Sequence, residues 1–326
     1  CGGDTLGEAA QKIDNLFIYN VQTVLDYGVE GKESEEDFLR TENAIKQAIL
    51  FAKNNAAVDI VCSKFTGLIP FSILEKLHTK EELSAEENEI YSKSKERIYA
   101  IAQLAYDNEV SLFVDAEESW IQHPLDELTF DLMAKFNTKK PIIYNTVQFY
   151  RKDRLQFFKN VVNSAKQVGF IYAAKLVRGA YMDKEAKRAK KMNYENPIQT
   201  SKEDTDKDYN EAVKFAIENI SSVAICVATH NEESTLLATT LMQEKKIEHN
   251  HPHIHFSQLY GMSDNITFNL AVEGYHTHKY MPYGPVKDVI PYLIRRAQEN
   301  TSVAGQMSRE LKLLKEEVKR RKLFVL

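Results

Sequence analysis

Tyr292, Arg295, Arg296 and Glu299 recur at i, i+3, i+4 and i+7, the spacing that gathers side chains on one face of a helix. Two guanidinium groups on such a face can clamp a carboxylate in bidentate fashion. A surface ion pair between Arg295 and Glu299 is the plainer use of the same residues, and spacing alone leaves both readings open. Lys64, Lys175 and Arg178 follow short apolar runs, as do Glu30 and Asp115. A pocket built from the cations would suit carboxylates and phosphates, with the acids available to pair with them. Such a set fits poorly with a two-carboxylate glycosidase, because nothing marks an acid free of cations. Nucleophilic catalysis has little support either. There is no GxSxG turn, and Cys62 and Cys226 lie inside apolar runs without activating neighbours.

These residues need a frame. Short β-branched runs alternate with longer amphipathic segments, the pattern of parallel βα units. The expected strands are Val21–Tyr27, Asp59–Lys64, Ser111–Asp115, Pro141–Gln148, Ile171–Val177, Val223–Thr229, His253–Gln258 and Lys279–Tyr283. Helical segments between them include Ser34–Lys53, Ala85–Asn108, Arg154–Val168, Asp206–Asn219 and Glu232–Lys245, and Lys80–Glu89 reads as a solvated insertion. Eight such units in 326 residues predict an α/β fold, a single (β/α)8 barrel, over the alternative of an open doubly wound sheet. No linker divides the chain, so residues 1–304 are expected to form the barrel and 305–326 a charged helical tail. Beyond the eighth strand, Val286, Val289, Leu293 and Ala297 make an apolar stripe that should pack on the barrel. In the tail, Lys315–Lys322 is strongly charged and Leu323–Leu326 apolar. A solvated helix is the plain reading and a peripheral membrane contact the sharper one.

A barrel collects its chemistry at the C-terminal ends of its strands. Those ends carry Asp26 and Glu30, Lys64, Asp115 to Glu118, Asn145 and Gln148, Lys175 and Arg178, Thr229 to Asn231, Gln258, and Tyr280 with Tyr283. All eight ends are expected to converge on one pocket. At the opposite end, His249, His251, His253 and His255 alternate, and His276 and His278 repeat the spacing. Residues i and i+2 of a strand share a face, so a bis-histidine metal site is one reading. That end usually serves stability, and no metal is expected.

Composition is consistent with this frame. Hydrophobic residues make up 43% of the chain, and no apolar run approaches the roughly 18 residues of a membrane span. A net charge of -5 is too mild for nucleic acid to be a principal partner. Three cysteines without a CxxC pair suggest reduced thiols in a cytosolic-type compartment. The chain begins at Cys1-Gly2-Gly3 without an initiator Met, so an N-terminal piece, with any targeting sequence, is expected to have been removed.

DAEESW (Asp115–Trp120), KLVRGAYM (Lys175–Met182), ATHN (Ala228–Asn231), SQLYGM (Ser257–Met262), KYMPYGP (Lys279–Pro285) and YLIRRAQEN (Tyr292–Asn300) together resemble the signature blocks of proline dehydrogenases. They occur in the family's order, and the likeness runs from about Thr5 to Ala304. The resemblance implies a distorted barrel that binds FAD without covalent attachment, in keeping with the absence of a GxGxxG turn. It implies oxidation of L-proline to 1-pyrroline-5-carboxylate by hydride transfer to flavin N5, with electrons passing to a quinone. By this likeness Lys64, Asp115, Tyr280, Arg295 and Arg296 surround proline, Glu30 pairs with Arg295, and Ala180, Tyr181, Leu259 and Tyr292 line the pocket. Gln148, Lys175, Arg178, Thr200, His230 and Glu299 belong to the flavin shell. A pyrroline-5-carboxylate dehydrogenase would act downstream. The implied location is cytoplasmic, with peripheral contact to the inner membrane, or mitochondrial in a eukaryote.

Two features depart from the family pattern. Lys175 and Arg178 stand where the bifunctional bacterial relatives carry the opposite basic types, which leaves open which one reaches the flavin. The family's N-terminal arm and the further modules of proline utilization A are expected to be missing, so a monofunctional member is implied. Alternatives are a hydroxyproline dehydrogenase, a barrel lyase or aldolase using Lys175 or Lys64 as a Schiff base, and, least favoured, a non-enzymatic binding role.

Overall fold

The eight β-branched runs pair as one closed parallel sheet in chain order, the eighth strand returning to the first. The computed structural model describes residues 1–286, 289, 290, 294, 311, 312 and 315–322. Its strands are β1 Val21–Tyr27, β2 Val58–Ser63, β3 Ser111–Val114, β4 Ile143–Gln148, β5 Tyr172–Val177, β6 Val223–Ala228, β7 Ile254–Leu259 and β8 Thr277–Tyr283. All start and end close to their expected bounds, and the closed barrel rather than the open sheet is what forms.

The helices are α1 Leu6–Phe17, α2 Glu35–Lys53, α3 Phe71–Thr79, α4 Ala85–Asp107, α5 Gln122–Phe136, α6 Arg154–Val168, α7 Met182–Met192, α8 Lys202–Glu218, α9 Glu232–Glu244 and α10 Asp264–Val272. Their starts are written in the sequence. The side chains of Ser34, Ser84, Ser201 and Asn231 accept from backbone N–H groups of the first turns of α2, α4, α8 and α9, satisfying donors a helix leaves unpaired. The Ser201 cap starts α8 four residues before the expected Asp206. The charged insertion resolves into the left-handed cap of α3 at Lys80 and the Ser84–Glu87 capping box of α4.

Period-2 alternation sorts the strand residues into two cores. Leu25, Val61, Leu112, Val147, Leu176 and Ile225 point outward to the helices in the larger core. Val24, Ile60, Cys62, Phe113, Tyr144, Ala173, Ala224, Cys226 and Tyr280 fill the barrel interior. Each fully buried large side chain of this kind contributes about 1.5–3 kcal/mol. Closure is made by seven rungs between β1 and β8, from Val21 opposite Thr277 to Tyr27 opposite Tyr283. The N-terminal segment ties onto the same seam, with Gly2 N–H donating to Pro282 O and Gly284 N–H to Gly3 O.

Beyond β8, Val289 is buried, but Val286 is 55% exposed, so the expected stripe does not include it. Leu293 and Ala297 lie outside the described residues. In the tail, residues 315–320 are helical and mostly exposed, and Glu317 pairs with Arg320 and Arg321 at 2.6 Å, as the solvated reading requires. Leu323–Leu326 lies outside the described residues.

Candidate active site

Above the apolar layer the inward positions are Asp26 on β1, Lys64 after β2, Asp115 after β3, Thr146 and Gln148 on β4 and Lys175 on β5, and the Tyr280 hydroxyl of β8 reaches them from that layer. Asp115 is the hub. Lys64 Nζ lies 3.0 Å from both carboxylate oxygens of Asp26 and 3.3 Å from Asp115 Oδ2. Lys175 Nζ bonds Asp115 Oδ1, and the Tyr280 hydroxyl donates to Asp115 Oδ2 at 2.7 Å. The Lys175 ammonium also sits 4.9 Å over the Tyr280 ring. On β6 and β7 the corresponding positions are Ala228 and Leu259, which pack on the interior cluster. The mouth therefore has a polar side and an apolar side.

Two carboxylates and two ammonium groups share this space, and their proton affinities move apart. Burial pushes Asp26 up, and the Asp115 charge adds to this against Lys64. Burial opposes ionisation of Asp115 too, but Lys175 and Lys64 outweigh it and hold that carboxyl well below the usual range. Burial would lower both lysines, yet Asp26 and Asp115 raise Lys64, and Asp115 raises Lys175. A Schiff-base lysine needs a depressed pKa, so the lyase or aldolase alternative fails on either lysine. Of the cations expected in the pocket, Arg295 and Arg296 lie outside the described residues, and the other three are paired as the acids allow. Lys64 and Lys175 are neutralised by Asp26 and Asp115, and Arg178 by Asp206.

The basic pair at the end of β5 divides its work. Lys175 points into the barrel, whereas Arg178 turns outward to Asp206 Oδ1 at 2.6 Å, Thr229 Oγ1 at 2.7 Å and Ser234 Oγ at 2.9 Å. Its guanidinium stacks 4.4 Å from the Tyr209 ring centre. Arg178 thus fastens the β5 loop to α8 and α9. On the other flank Ser119 donates from its N–H and hydroxyl to Glu185 at 2.7 and 2.6 Å, and Lys184 reaches Glu118 at 2.6 Å. These bonds clasp the β3 loop to α7, next to Ala180 and the buried Tyr181. Gly179 has φ +139°, and a Cβ there would lie 2.4 Å from the Tyr150 ring.

The remaining expected residues spread around the rim. Gln148 donates to the Glu117 carbonyl at 2.8 Å, and His230 Nδ1 lies 2.9 Å from Ser263 Oγ. Thr200 is exposed and bonds Asp204 at 3.2 Å. Glu30 is half-buried, close enough for its charge to act on Lys64. Tyr292, Arg295, Arg296 and Glu299 lie outside the described residues. Not every strand-end group converges. Asn145 turns outward to Asp126 at 2.8 Å, Gln258 bonds Thr229 O and Thr267, and Tyr283 packs on Tyr27 outside the barrel.

Asp26 and Glu117 stand among the strand-end residues expected to face the pocket, although neither was given a catalytic, substrate or flavin role, and both are buried beside this network. Asp26 has inward parity with Val24, a signal the sequence did carry. Glu117 accepts from Thr66 N–H at 3.3 Å and from the Thr66 hydroxyl. Burial, with the charges of Glu118 and Glu30 beside it, pushes Glu117 from 4.5 up to about 8. Between those values the folded chain keeps a proton that the unfolded chain has released, so stability falls as pH rises through that window. Glu117→Gln cannot ionise and should lack this fall, gaining about 3–4 kcal/mol on the wild type between pH 5 and pH 8. Urea unfolding across that range tests it, and parallel curves would mean that Glu117 is ionised throughout.

Comparison with known proteins gives a consistent result. The family model described as proline dehydrogenase matches residues 9–309. "Proline dehydrogenase 1, mitochondrial" of Dictyostelium discoideum is 35% identical and aligns with 98% of this chain. "Hydroxyproline dehydrogenase" of Xenopus laevis is 39% identical over 78% of it. The chain spans 64% and 56% of the length of these two relatives. The crystal structure of proline utilization A from Bdellovibrio bacteriovorus, inactivated by N-propargylglycine, superposes with a TM-score of 0.82 at 22% identity. It covers 92% of this chain and 32% of that one, a likeness of fold.

Proposed function

The chain belongs to the proline dehydrogenase family, and from that membership we propose that it is a FAD-dependent enzyme oxidising L-proline to 1-pyrroline-5-carboxylate, the first step of proline catabolism, with electrons passed to a quinone. The observation that carries this reading is the Tyr280–Asp115–Lys64–Lys175 network at the catalytic end of the barrel. When bound, FAD supplies at N5 the hydride acceptor that no side chain offers. The residues present fit such a group. Lys175 and Gln148 flank Thr146, whose buried hydroxyl finds no partner among the described residues, and an orphaned hydroxyl of this kind asks for one. Lys175, Gln148 and His230 would hold the flavin, with Arg178, Thr200 and Glu299 around them.

The chain's own work is positioning. Arg295 and Arg296 would take the substrate carboxylate, Glu30 would close over Arg295, and Ala180, Tyr181, Leu259 and Tyr292 would wall the ring. Lys64 and Lys175 fix Asp115, and Asp115 fixes the Tyr280 hydroxyl, so the tyrosine ring is held where it can pack against proline C4. The substrate amine must lose a proton. Asp115, held ionised by two ammonium groups, is too weak a base to take it. Anaerobic addition of L-proline should bleach the flavin absorption band of the purified chain. An unchanged band with proline, in a protein that does hold flavin, would sink the reading.

Support for location and partners is coarser. A relative named as mitochondrial supports a mitochondrial location for a eukaryotic source; the inner membrane or matrix there, and a cytoplasmic, peripherally bound enzyme in a bacterium, are part of the proposal. Among the described residues no helix is long and apolar enough to cross a membrane. A dehydrogenase acting on the pyrroline product would follow.

The Xenopus relative favours hydroxyproline as a second reading, and Tyr280 separates the two. A ring against C4 leaves a substrate hydroxyl without room or partner, a penalty of about 1–3 kcal/mol. That is enough for roughly ten- to hundredfold discrimination. Tyr280→Ser should lower kcat/KM for proline while narrowing its advantage over trans-4-hydroxyproline. An unchanged ratio of the two specificity constants would remove Tyr280 from C4, and a wild-type preference for hydroxyproline would overturn the substrate assignment.

A further inference from the structure

At the N-terminal end of the barrel, opposite the Asp115 network, three chemistry-bearing side chains meet from different strands. They are Asp59, His255 and His278, each the second residue of its strand, on β2, β7 and β8. Asp59 arrives there through an irregularity. Thr23 pairs with Val58 and Val24 with Ile60, so Asp59 is the extra residue of a β-bulge, a device that re-aims a side chain. His278 Nε2 lies 3.0 and 3.2 Å from the Asp59 carboxylate oxygens. The rings of His255 and His278 stand 5.2 Å apart. One ligand atom from each of the three residues lies within 4.8 Å of the others.

Hydrogen bonding within the protein does not satisfy this cluster. His278 is fully buried and His255 nine-tenths buried, yet among the described residues Nδ1 of each finds no partner. The buried hydroxyl of Tyr144, whose ring is 6.2 Å from that of His255, is also unpartnered among the described residues. Three orphaned polar atoms in one interior layer need an explanation.

We propose that Asp59, His255 and His278 form a binding site for a divalent transition-metal ion of the zinc type, which pins β2, β7 and β8 together at the closed end of the barrel. Two imidazoles and one carboxylate select Zn2+ and its first-row neighbours over Mg2+ or Ca2+, which prefer all-oxygen sets. With metal–ligand bonds of about 2.0–2.1 Å, tetrahedral ligands stand roughly 3.3 Å apart; His278 and Asp59 already stand that close, and no pair of the three need close by more than about 1.5 Å. A fourth position is left for water, within reach of the Tyr144 layer. The Asp59 side chain is 35% exposed, which gives the ion a way in.

Other groups of the same residue types are already occupied. Asp26, Cys62 and Asp115 also lie within ligand reach of one another, but the ammonium groups of Lys64 and Lys175 bind those carboxylates. His249, His253 and His276 each bond a backbone carbonyl, at 2.6 to 2.8 Å. The site departs from the expectation of no metal, while a stabilising role agrees with its place in the barrel.

The test strips the full chain with a chelator, dialyses it against Zn2+ alone, and measures bound zinc by atomic emission together with Tm. The wild type should hold one ion per chain and melt at a higher temperature with it. Asp59→Asn, at a partly exposed position that should tolerate it, should weaken binding tenfold or more while far-UV circular dichroism stays unchanged. His255→Asn should do the same, and His251→Ala should leave binding intact. Absence of stoichiometric zinc in the wild type, undiminished binding in Asp59→Asn and His255→Asn, or loss in His251→Ala would each overturn the proposal.

Discussion

Asp115→Asn is expected to abolish useful turnover and to destabilise the fold by about 3–5 kcal/mol, the cost of breaking a buried ion pair from one side. Lys64 would keep Asp26, but Lys175 would lose its carboxylate while remaining buried. The Tyr280 hydroxyl would lose its charged acceptor at the same time. A reacting ring misplaced by about 1 Å loses on the order of a hundredfold in rate, so kcat/KM should fall by at least that factor. The pH dependence distinguishes this cause from a general packing defect. An unpaired buried Lys175 has a depressed pKa, the unfolded chain then binds more protons, and stability rises with pH. The deficit against wild type should therefore shrink between pH 7 and pH 9 in urea unfolding. A constant deficit, or a variant with wild-type kcat/KM, would remove Asp115 from the centre of the network.

Gly179→Ala should be comparably damaging for a different reason. The backbone there has φ +139°, which side chains rarely tolerate, and the new Cβ would lie 2.4 Å from the Tyr150 ring. Backbone strain of about 1–3 kcal/mol adds to overpacking of about 1–3 kcal/mol. Tyr150 cannot easily retreat, because its N–H bonds Arg178 O and its carbonyl accepts from Gln199, both at 2.7 Å. The β5–α7 loop should then come off the barrel, taking Ala180 and Tyr181 with it. Substrate affinity should collapse while most of the secondary structure survives. Removing the ring as well, in Gly179→Ala/Tyr150→Ala, should recover the steric part and leave the backbone part, a coupling above about 1 kcal/mol. Additive effects would show that the contact does not limit this loop.

The frame of the molecule was legible because each strand is a compact β-branched run with its own flanking punctuation. Lys64, Asp115, Lys175 and Tyr280 were legible because they sit at strand ends with inward parity. Asn145, Gln258 and Tyr283 also sit at strand ends and face the helices, a distinction only the period-2 alternation carries. The helices not singled out failed for local reasons. α5 buries nine of its residues on several sides, which blurs its periodicity. α7 is so charged (KEAKRAKK) that it reads as solvated chain, although it buries Glu185 and Ala189. Glu117 was legible as a strand-end acid, but its raised proton affinity was not, because that comes from depth and from neighbours brought in by the fold. The Asp59–His255–His278 cluster was half visible, since alternation marked the histidines but no pattern marks an aspartate on a bulge.

The seam that closes the barrel joins β1 to β8, and the Gly2–Gly3 segment depends on the same edge. A ribosome therefore delivers one lip of the seam about 250 residues before the other. At about 5–20 residues per second, the free edge of β1 waits roughly 13–50 s for its partner. During that interval a row of unpaired N–H and C=O groups stands open to any extended segment nearby. Recovery of folded chain from cells should thus respond to translation speed and chaperone supply, and substitutions at the β1 edge should be felt in yield before they are felt in the finished protein.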